Sequence, residues 1–346
     1  MGTSILIFGG ARLAQRPKLD DVAARVGLSP ASVSLVLRNA PGPSAETRRR
    51  VLAAAADLGY RPDRTASLLA RRRRHLLGVL MDVANAFHAE VVSNVHIAAE
   101  ELGYDVVLST VTATRDEQRA VATLLDFRCE AVILLGPVAS AARLAALARE
   151  VPVVAIGRRV SAPGVSVVRA ADDRGVALAV DHLVGLGHRS IAFLDGGRGT
   201  IAADRRRGYR AAMRRHRLSE HEWILPGDHT EAAGSRAVGM LSAEPRAATA
   251  VAASNDRSAV GLLDGLARAG VDVPAGLSVV GYDDSVLARL AHIDLTSVSQ
   301  DGRRQAEEAV AAAVARLDDG DVRVREIVLA PRLVVRGSTG PAPTRS

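Results

Sequence analysis

From Leu76 onward, apolar runs of strand length alternate with helix-length stretches, and this alternation restricts the fold more than any other feature of the chain. The runs are LLGVLMDV, YDVVLSTV, AVILLG, VPVVAIG, SIAFLDG, ATAVAAS and LSVVGYDD, and the helical stretches span 87–102, 116–127, 140–149, 173–187 and 203–217. A strand that is apolar along its whole length must be covered on both faces, and a strand followed by a helix returns parallel. The pattern therefore implies a parallel sheet between layers of helices. The strands are too numerous for one sheet of modest size, so two side-by-side lobes are expected.

The segment before Leu76 has a helical period instead. Leu19, Val22, Ala23 and Val26 fall at i, i+3, i+4 and i+7, which puts one apolar stripe on a first helix that Gly27 ends. Ser29 is a good N-cap, Pro30 suits the first helical position, and Val33, Val36 and Leu37 give a second helix its inner face. A third helix starts at Ser44, with Val51, Leu52, Ala55 and Leu58 expected inside and Gly59 as the stop. The first two helices must meet at a sharp angle. Ser29, Pro30, Ala31, Ser32, Ser34, Leu35 and Arg38 then face outward, free to enter a major groove.

Charge points the same way. From Arg16 to His75 there are 13 Arg and Lys against 5 Asp and Glu, a net of +8 where the whole chain has +7, so the remainder sums to −1. Arginine is abundant everywhere, but abundance alone does not segregate the sign, and a basic segment on a near-neutral body is the electrostatic footprint of a nucleic-acid module. At 346 residues, 48% hydrophobic and 24% charged, the chain is ordinary globular protein with room for two or three domains. The single Cys129 cannot form an internal disulfide and no Cys/His cluster has metal-ligand spacing. No metal or cofactor is expected, and the expected compartment is reducing and cytoplasmic. The apolar start Ile5 to Phe8 is too short for a signal-peptide core, and no stretch reaches the ~18 apolar residues of a membrane span. Nor is an enzyme expected, since there is no Walker A sequence, G-x-G-x-x-G, nucleophile elbow or H-E-x-x-H. Ser254, His229 and Asp283 make a hydrolytic triad on paper only, because nothing in their spacing favours it.

LDDVAARVGLSPASVSLVLR, followed by SAETRRRVLAAAADLGYRPDRTASLLA, resembles the N-terminal domain of the lactose-repressor (LacI) family of bacterial transcription regulators, and the resemblance continues to about residue 337. It implies an all-α helix-turn-helix DNA-binding domain plus an α/β two-lobed effector domain resembling periplasmic sugar-binding proteins. Residues 1–15 would be an N-terminal extension, either a disordered arm or an extended start, 16–60 the helix-turn-helix domain, and 61–75 a hinge helix and linker. Residues 76–338 would be the ligand-binding and dimerisation domain, with lobe one at 76–170 plus 299–329 and lobe two at 171–298 plus 330–338. Residues 339–346 would be a disordered tail. In the family pattern Pro30, Ala31 and Leu35 occupy base-reading positions, while Ser29, Ser32, Ser34 and Asn39 are placed for phosphates. Leu35 stands where Arg or His often donates to guanine, although an apolar side chain can contact a thymine methyl. By the same resemblance, paired hinge helices lie over the minor groove, Leu69 wedges into the central base step, and Arg64 and Ala66 make backbone or groove contacts.

The resemblance also assigns the cleft between the lobes to a small ligand, with Phe87, His88, Arg205, His229, Asn255, Asp256 and Asp283 at the matching positions. Arg205 and Asp283 are expected to face one another across the cleft, where a guanidinium fork and a carboxylate suit vicinal hydroxyls. Any one of these charges could instead serve a salt link between lobes. Gly157 and Ala171 depart from the acidic or amide residues common there. The implied function is a ligand-responsive regulator, most simply a repressor, that binds a palindromic operator as a homodimer, with a sugar or sugar derivative as inducer or corepressor. A periplasmic solute-binding protein is the rival for 76–338 alone, and the attached DNA module counts against it. The tail lacks leucine heptads, which favours a dimer over a tail-built tetramer.

Overall fold

The computed structural model describes residues 17–38, 40–60, 73–243, 248–318 and 324–343. They divide into two compact units between Arg74 and His75. Asn39, the hinge segment 61–70 with Arg64, Ala66 and Leu69, and the extension 1–15 lie outside the described residues.

The first unit holds α1 (Leu19–Val26), α2 (Pro30–Leu37) and α3 (Ala45–Asp57). Local signals set their ends. The Lys18 N–H donates to Asp21 Oδ2 at 2.6 Å, Gly27 turns left-handed at φ 68°, and Ser29 Oγ accepts from the Ser32 N–H at 3.2 Å. Val22, Ala23, Val26, Val33, Val36, Val51, Ala54 and Ala55 form the core. Leu52, expected inside, is 50% exposed. At 3.6 residues per turn the stripe through Val51 continues at Ala54, Ala55 and Leu58, which leaves Leu52 a hundred degrees off it. Two basic side chains of α3 are committed within the module: Arg50 Nη2 donates to the Val26 carbonyl at 2.8 Å and Arg48 Nη2 to the Ala40 carbonyl at 2.9 Å. They satisfy carbonyls at or just beyond the ends of α1 and α2, where a cation also suits the helix dipole.

The second unit has two six-stranded sheets. In the first, β1 (Leu76–Asp82), β2 (Asp105–Val111), β3 (Ala131–Leu135), β4 (Val153–Ile156), β5 (Val165–Ala170) and β11 (Glu326–Leu329) run parallel in the order β11-β5-β4-β3-β1-β2. The second contains β6 (Ile191–Leu194), β7 (Trp223–Leu225), β8 (Ala250–Ala253), β9 (Ser278–Asp283), β10 (Thr296–Ser299) and β12 (Arg332–Val334), in the order β12-β10-β9-β8-β6-β7. There β12 alone is antiparallel. The chain passes from the first sheet to the second between Ala170 and Asp172, returns after Ser299, and crosses again between Leu329 and Arg332. Helices α4 (Ala86–Glu101) and α11 (Gly302–Asp318) share a core on one face of the first sheet, and α5 (Glu117–Asp126) and α6 (Ala141–Glu150) share the other. In the same way α7 (Asp172–Gly185) and α8 (Thr200–Arg215) cover one face of the second sheet, with α9 (Glu231–Ala243) and α10 (Asp256–Arg268) on the other. Among the described residues no helix is long and apolar enough to cross a membrane.

The tail corrects an expectation. Thr339 Oγ1 lies 2.9 Å from His182 Nε2, the Gly340 carbonyl accepts from His188 Nε2 at 3.0 Å, and the Ala342 N–H donates to the Leu186 carbonyl at 2.9 Å. Residues 339–343 are thus tied to the end of α7 by polar contacts that a search for apolar patterning does not register.

Helices α9 and α10 approach one another through glycine. A Cβ on Gly234 would lie 2.0 Å from the Ser258 carbonyl oxygen, and one on Gly261 would lie 1.9 Å from that of Glu231. Backbone meets backbone here, so the pair cannot relax by turning a side chain. Gly261→Ala is expected to destabilise the second unit by about 1–3 kcal/mol. Denaturant unfolding should show a lower midpoint at unchanged slope, and an unchanged midpoint would contradict the close packing.

Candidate DNA-reading surface and ligand cleft

In the first unit α2 has two distinct sides. Val33 and Val36 are buried in the three-helix core, while Ser29, Pro30, Ala31, Leu35 and Arg38 are exposed and Ser32 and Ser34 half-buried. Leu35 is 39% exposed, and the Arg38 Nε donates back to the Ser34 carbonyl at 3.2 Å.

In the second unit a cavity of about 390 Å³ lies at the carboxyl ends of the strands of both sheets. Six residues expected there line it: Phe87, His88, Arg205, His229, Asn255 and Asp283. Asp256 does not. It is buried below the lining, where its Oδ2 accepts from the Ser285 N–H (2.7 Å) and Oγ (2.8 Å) and its Oδ1 accepts from Ser297 Oγ (2.6 Å). Its role is to join α10 to β10 and the segment after β9. Asn255 reaches the cavity with both ends of its amide engaged, since Oδ1 caps the Ser258 N–H at 3.0 Å and Nδ2 donates to the His229 carbonyl at 3.1 Å.

Arg205 is the best-held charge of the cleft. Its Nε donates to Asp172 Oδ1 at 2.8 Å, its Nη1 to the Ser254 carbonyl, and its guanidinium carbon stands 3.8 Å above the Tyr282 ring. Its Nη2 lies 3.9 Å from Asp283 Oδ1. The expectation that Arg205 and Asp283 oppose one another across the cleft is therefore corrected. They stand side by side in the same lobe, because α8 packs on the sheet that β9 belongs to. Asp283 sits at φ 116°, a backbone region costly for a residue with a Cβ, and it accepts from Gln300 Nε2 at 2.6 Å.

Two family descriptions match the chain. "Bacterial regulatory proteins, lacI family" covers residues 18–63, and "Periplasmic binding protein-like domain" covers residues 180–339. The transcriptional regulator GalR of Escherichia coli (strain K12) is 30% identical over 325 residues, spanning 92% of this chain and 95% of GalR. The chain belongs to the LacI family. A solved LacI transcriptional regulator from a Rhodococcus species is 47% identical and covers 78% of this chain and 100% of its own, with a TM-score of 0.76. The Lac repressor dimer bound to operator and the anti-inducer ONPF is 29% identical, covers 94% of this chain and 100% of its own, and has a TM-score of 0.79. This LacI-family member is thus a DNA-binding transcriptional regulator with a ligand-binding domain.

Electrostatics in the LacI-family cleft follow from burial. Burial opposes the Arg205 charge, but Asp172, Tyr282 and Asp283 more than offset it and hold the guanidinium above its ordinary value. Burial pushes both Asp172 and Asp283 above the usual carboxylate range in spite of Arg205; Asp172 meets the Arg205 Nε at 2.8 Å, while Asp283 lies 3.9 Å from its Nη2. His88 is lowered to about 4, chiefly by burial, and His229 to about 3, by burial and then by Arg205. Both rings are therefore neutral at pH 7. His88 Nδ1 accepts from the Asp82 N–H at 3.2 Å, which places its proton on Nε2 as a donor. His229 Nδ1 lies 3.2 Å from Ser254 Oγ, but Asp283 partners Arg205 and Gln300 rather than His229, so these three do not assemble a hydrolytic triad. Among the described residues no cluster of His, Cys, Asp or Glu could hold a metal ion. Sequence reasoning missed Asn85, Arg158, Arg198 and Gln300, which also line the cavity. Their signal was positional: Arg158, Arg198 and Gln300 lie just past the ends of β4, β6 and β10.

The two neutral imidazoles tie stability to pH. Each folded pKa lies below the ordinary 6.5, so the unfolded chain binds protons first, and stability present above pH 6.5 is lost as pH falls toward about 4. Thermal melts from pH 7 to pH 4 should show a falling midpoint, and His88→Gln should fall less steeply. Identical slopes in the two proteins would rule out His88 as a contributor.

Proposed function

We propose that this regulator is a repressor, cytoplasmic and without enzymatic activity, that binds a palindromic operator as a homodimer and responds to a sugar or sugar derivative in the cleft. The observation that carries the reading is the division of α2, whose apolar side closes the module's core while Pro30, Ala31, Leu35 and Arg38 stay exposed. In this reading α2 enters the major groove. Pro30, Ala31 and Leu35 meet base edges, with Leu35 against a thymine methyl, and Ser29, Ser32, Ser34, Arg38 and Asn39 hold the backbone. By the resemblance, Leu69 wedges into the minor groove, and Arg64 and Ala66 contact the surrounding strands. The likeness to a repressor dimer bound to its operator supports the homodimer and the operator.

In the second unit, Phe87 and His88 from one lobe and Arg205, His229, Asn255 and Asp283 from the other hold the effector. A ligand touching both lobes changes their relation, and the hinge segments of the dimer read that change as altered spacing. Such coupling typically amounts to ~1–3 kcal/mol, about 5- to 150-fold in operator affinity.

Selection of bound sequences from a random duplex pool should return an inverted repeat. With that operator, affinity should fall by about 10³–10⁵ between 50 and 200 mM salt if the dimer makes roughly 6–10 phosphate contacts. A flat salt response, or a pool with no enriched symmetry, would contradict the proposal.

A further inference from the structure

The cleft proposed as the effector site carries positive charge that the fold itself leaves unmatched. Arg198 lies between β6 and α8 in the turn Gly196-Gly197-Arg198-Gly199-Thr200, lines the cavity, and is exposed, with no hydrogen bond or ion pair among the described residues. Arg158 follows β4 in the other lobe and lines the same cavity. Its Nη2 donates to the Ala139 carbonyl at 2.6 Å, but its Nε is buried without a partner. The nearest carboxylate influence on it is Glu117, whose oxygens are taken up by the Val138 and Ala139 N–H groups at 2.5 and 3.2 Å.

The other charges of the lining are largely accounted for. Arg205 pairs with Asp172, Arg257 makes a two-pronged pair with Glu231 at 2.8 and 2.6 Å, and Asp228 meets Arg236 at 3.4 Å. Two lining carboxylates stand outside these pairs: Asp82, whose Oδ1 accepts from the Ala84 N–H at 2.9 Å, and Asp283, which lies 3.9 Å from Arg205 Nη2. The lining carries four guanidinium groups (Arg158, Arg198, Arg205 and Arg257) against three carboxylates (Asp82, Asp228 and Asp283), and Arg158 and Arg198 are the two without an ion pair among the described residues.

The backbone adds donors at the same place. Gly199 starts α8 without a side-chain cap, and its carbonyl accepts from the Ala203 N–H at 3.1 Å. The Thr200 and Ile201 N–H groups, on residues that line the cavity, thus have no intrahelical acceptor. Glycine is required in this turn: Gly199 sits at φ 113°, and a Cβ on Gly196 would lie 2.0 Å from the His229 ring. A strand, then G-R-G-T-I-A, then a helix is the arrangement by which other folds bring backbone N–H groups to a phosphate.

We infer that the effector is an anionic polyol, a sugar bearing a phosphate or carboxylate, with its acid group held by Arg198, the start of α8 and Arg158. This rests on the cleft being the effector site. A neutral sugar would leave the guanidinium groups without a counter-charge in a partly desolvated cleft, whereas an acid group supplies charge-assisted bonds from both lobes. Its hydroxyls then face Asp283, Gln300 and the Nε2 donor of His88.

Calorimetry on the full chain tests the inference with glucose, galactose and ribose, their terminal phosphates, and gluconate, galactonate and ribonate. At least one acid should bind about tenfold or more tightly than its neutral parent, and Arg198→Gln, at an exposed site, should weaken that acid by about tenfold or more. Preference for the phosphates or for the aldonates tells which acid group the turn takes. If a neutral sugar binds as tightly as its acids, or if Arg198→Gln leaves the acid's affinity unchanged, the anion is overturned and the cleft remains an effector site. Silence across all nine compounds overturns both readings.

Discussion

One buried ion pair organises the second unit. Arg205 in the second turn of α8 and Asp172 at the start of α7 are both buried, and Asp172 is the second residue after the chain leaves the first sheet. Burying either charge alone costs several kcal/mol, so each makes the other's position obligatory, and removing one partner of such a pair typically costs about 3–5 kcal/mol. Tyr282 completes the arrangement. Its ring lies beneath the guanidinium, and it packs so closely on α7 that a Cβ on Gly175 would fall 2.4 Å from its hydroxyl oxygen. The crossing point, the direction of α8 and the cleft-facing edge of Arg205 are thereby fixed together, and this wall of the cleft is organised by folding itself.

The contacts between the lobes are of a different strength. Glu90 on α4 accepts from the Val286 N–H and pairs with Arg289 beyond β9, and Arg159 after β4 lies 3.9 Å from Asp204 on α8. These pairs are partly exposed, where an ion pair contributes about 0–1 kcal/mol. A rigid interior in each lobe with weak pairs between lobes is what a cleft needs if a ligand worth a few kcal/mol is to alter the relation of its walls. The acid group placed at Arg198 and Arg158 would act on that relation directly, since the two arginines come from different lobes.

The sequence was most legible where burial is apolar and periodic. The stripes of α1 and α2 and the largely apolar strands β1, β3, β4 and β8 could be read directly, because period and composition decide them. Legibility failed where polar groups are buried in mutual partnership. Strand β5 contains Arg169, buried only because its Nε meets Glu326 of β11 at 2.7 Å, 157 residues away in sequence. Strand β10 is mostly hydroxyls, each finding a partner: Ser297 Oγ on Asp256 and Thr296 Oγ1 on the Arg336 carbonyl. Asp256 looked like a ligand residue for the same reason, since a carboxylate after a strand gives no sign of the three donors that the fold will turn toward it. Arg198 was overlooked because its importance lies in what it lacks, a partner, and that is visible only once the rest of the cleft has been paired.

In the proposed function, occupancy of the cleft and grip on DNA are one equilibrium. It is tested most directly by measuring the operator affinity of the full chain with and without saturating cleft ligand, and the ligand affinity with and without saturating operator. The two ratios should be equal and different from one, as linkage requires. An operator affinity that saturating ligand leaves unchanged would contradict the claim.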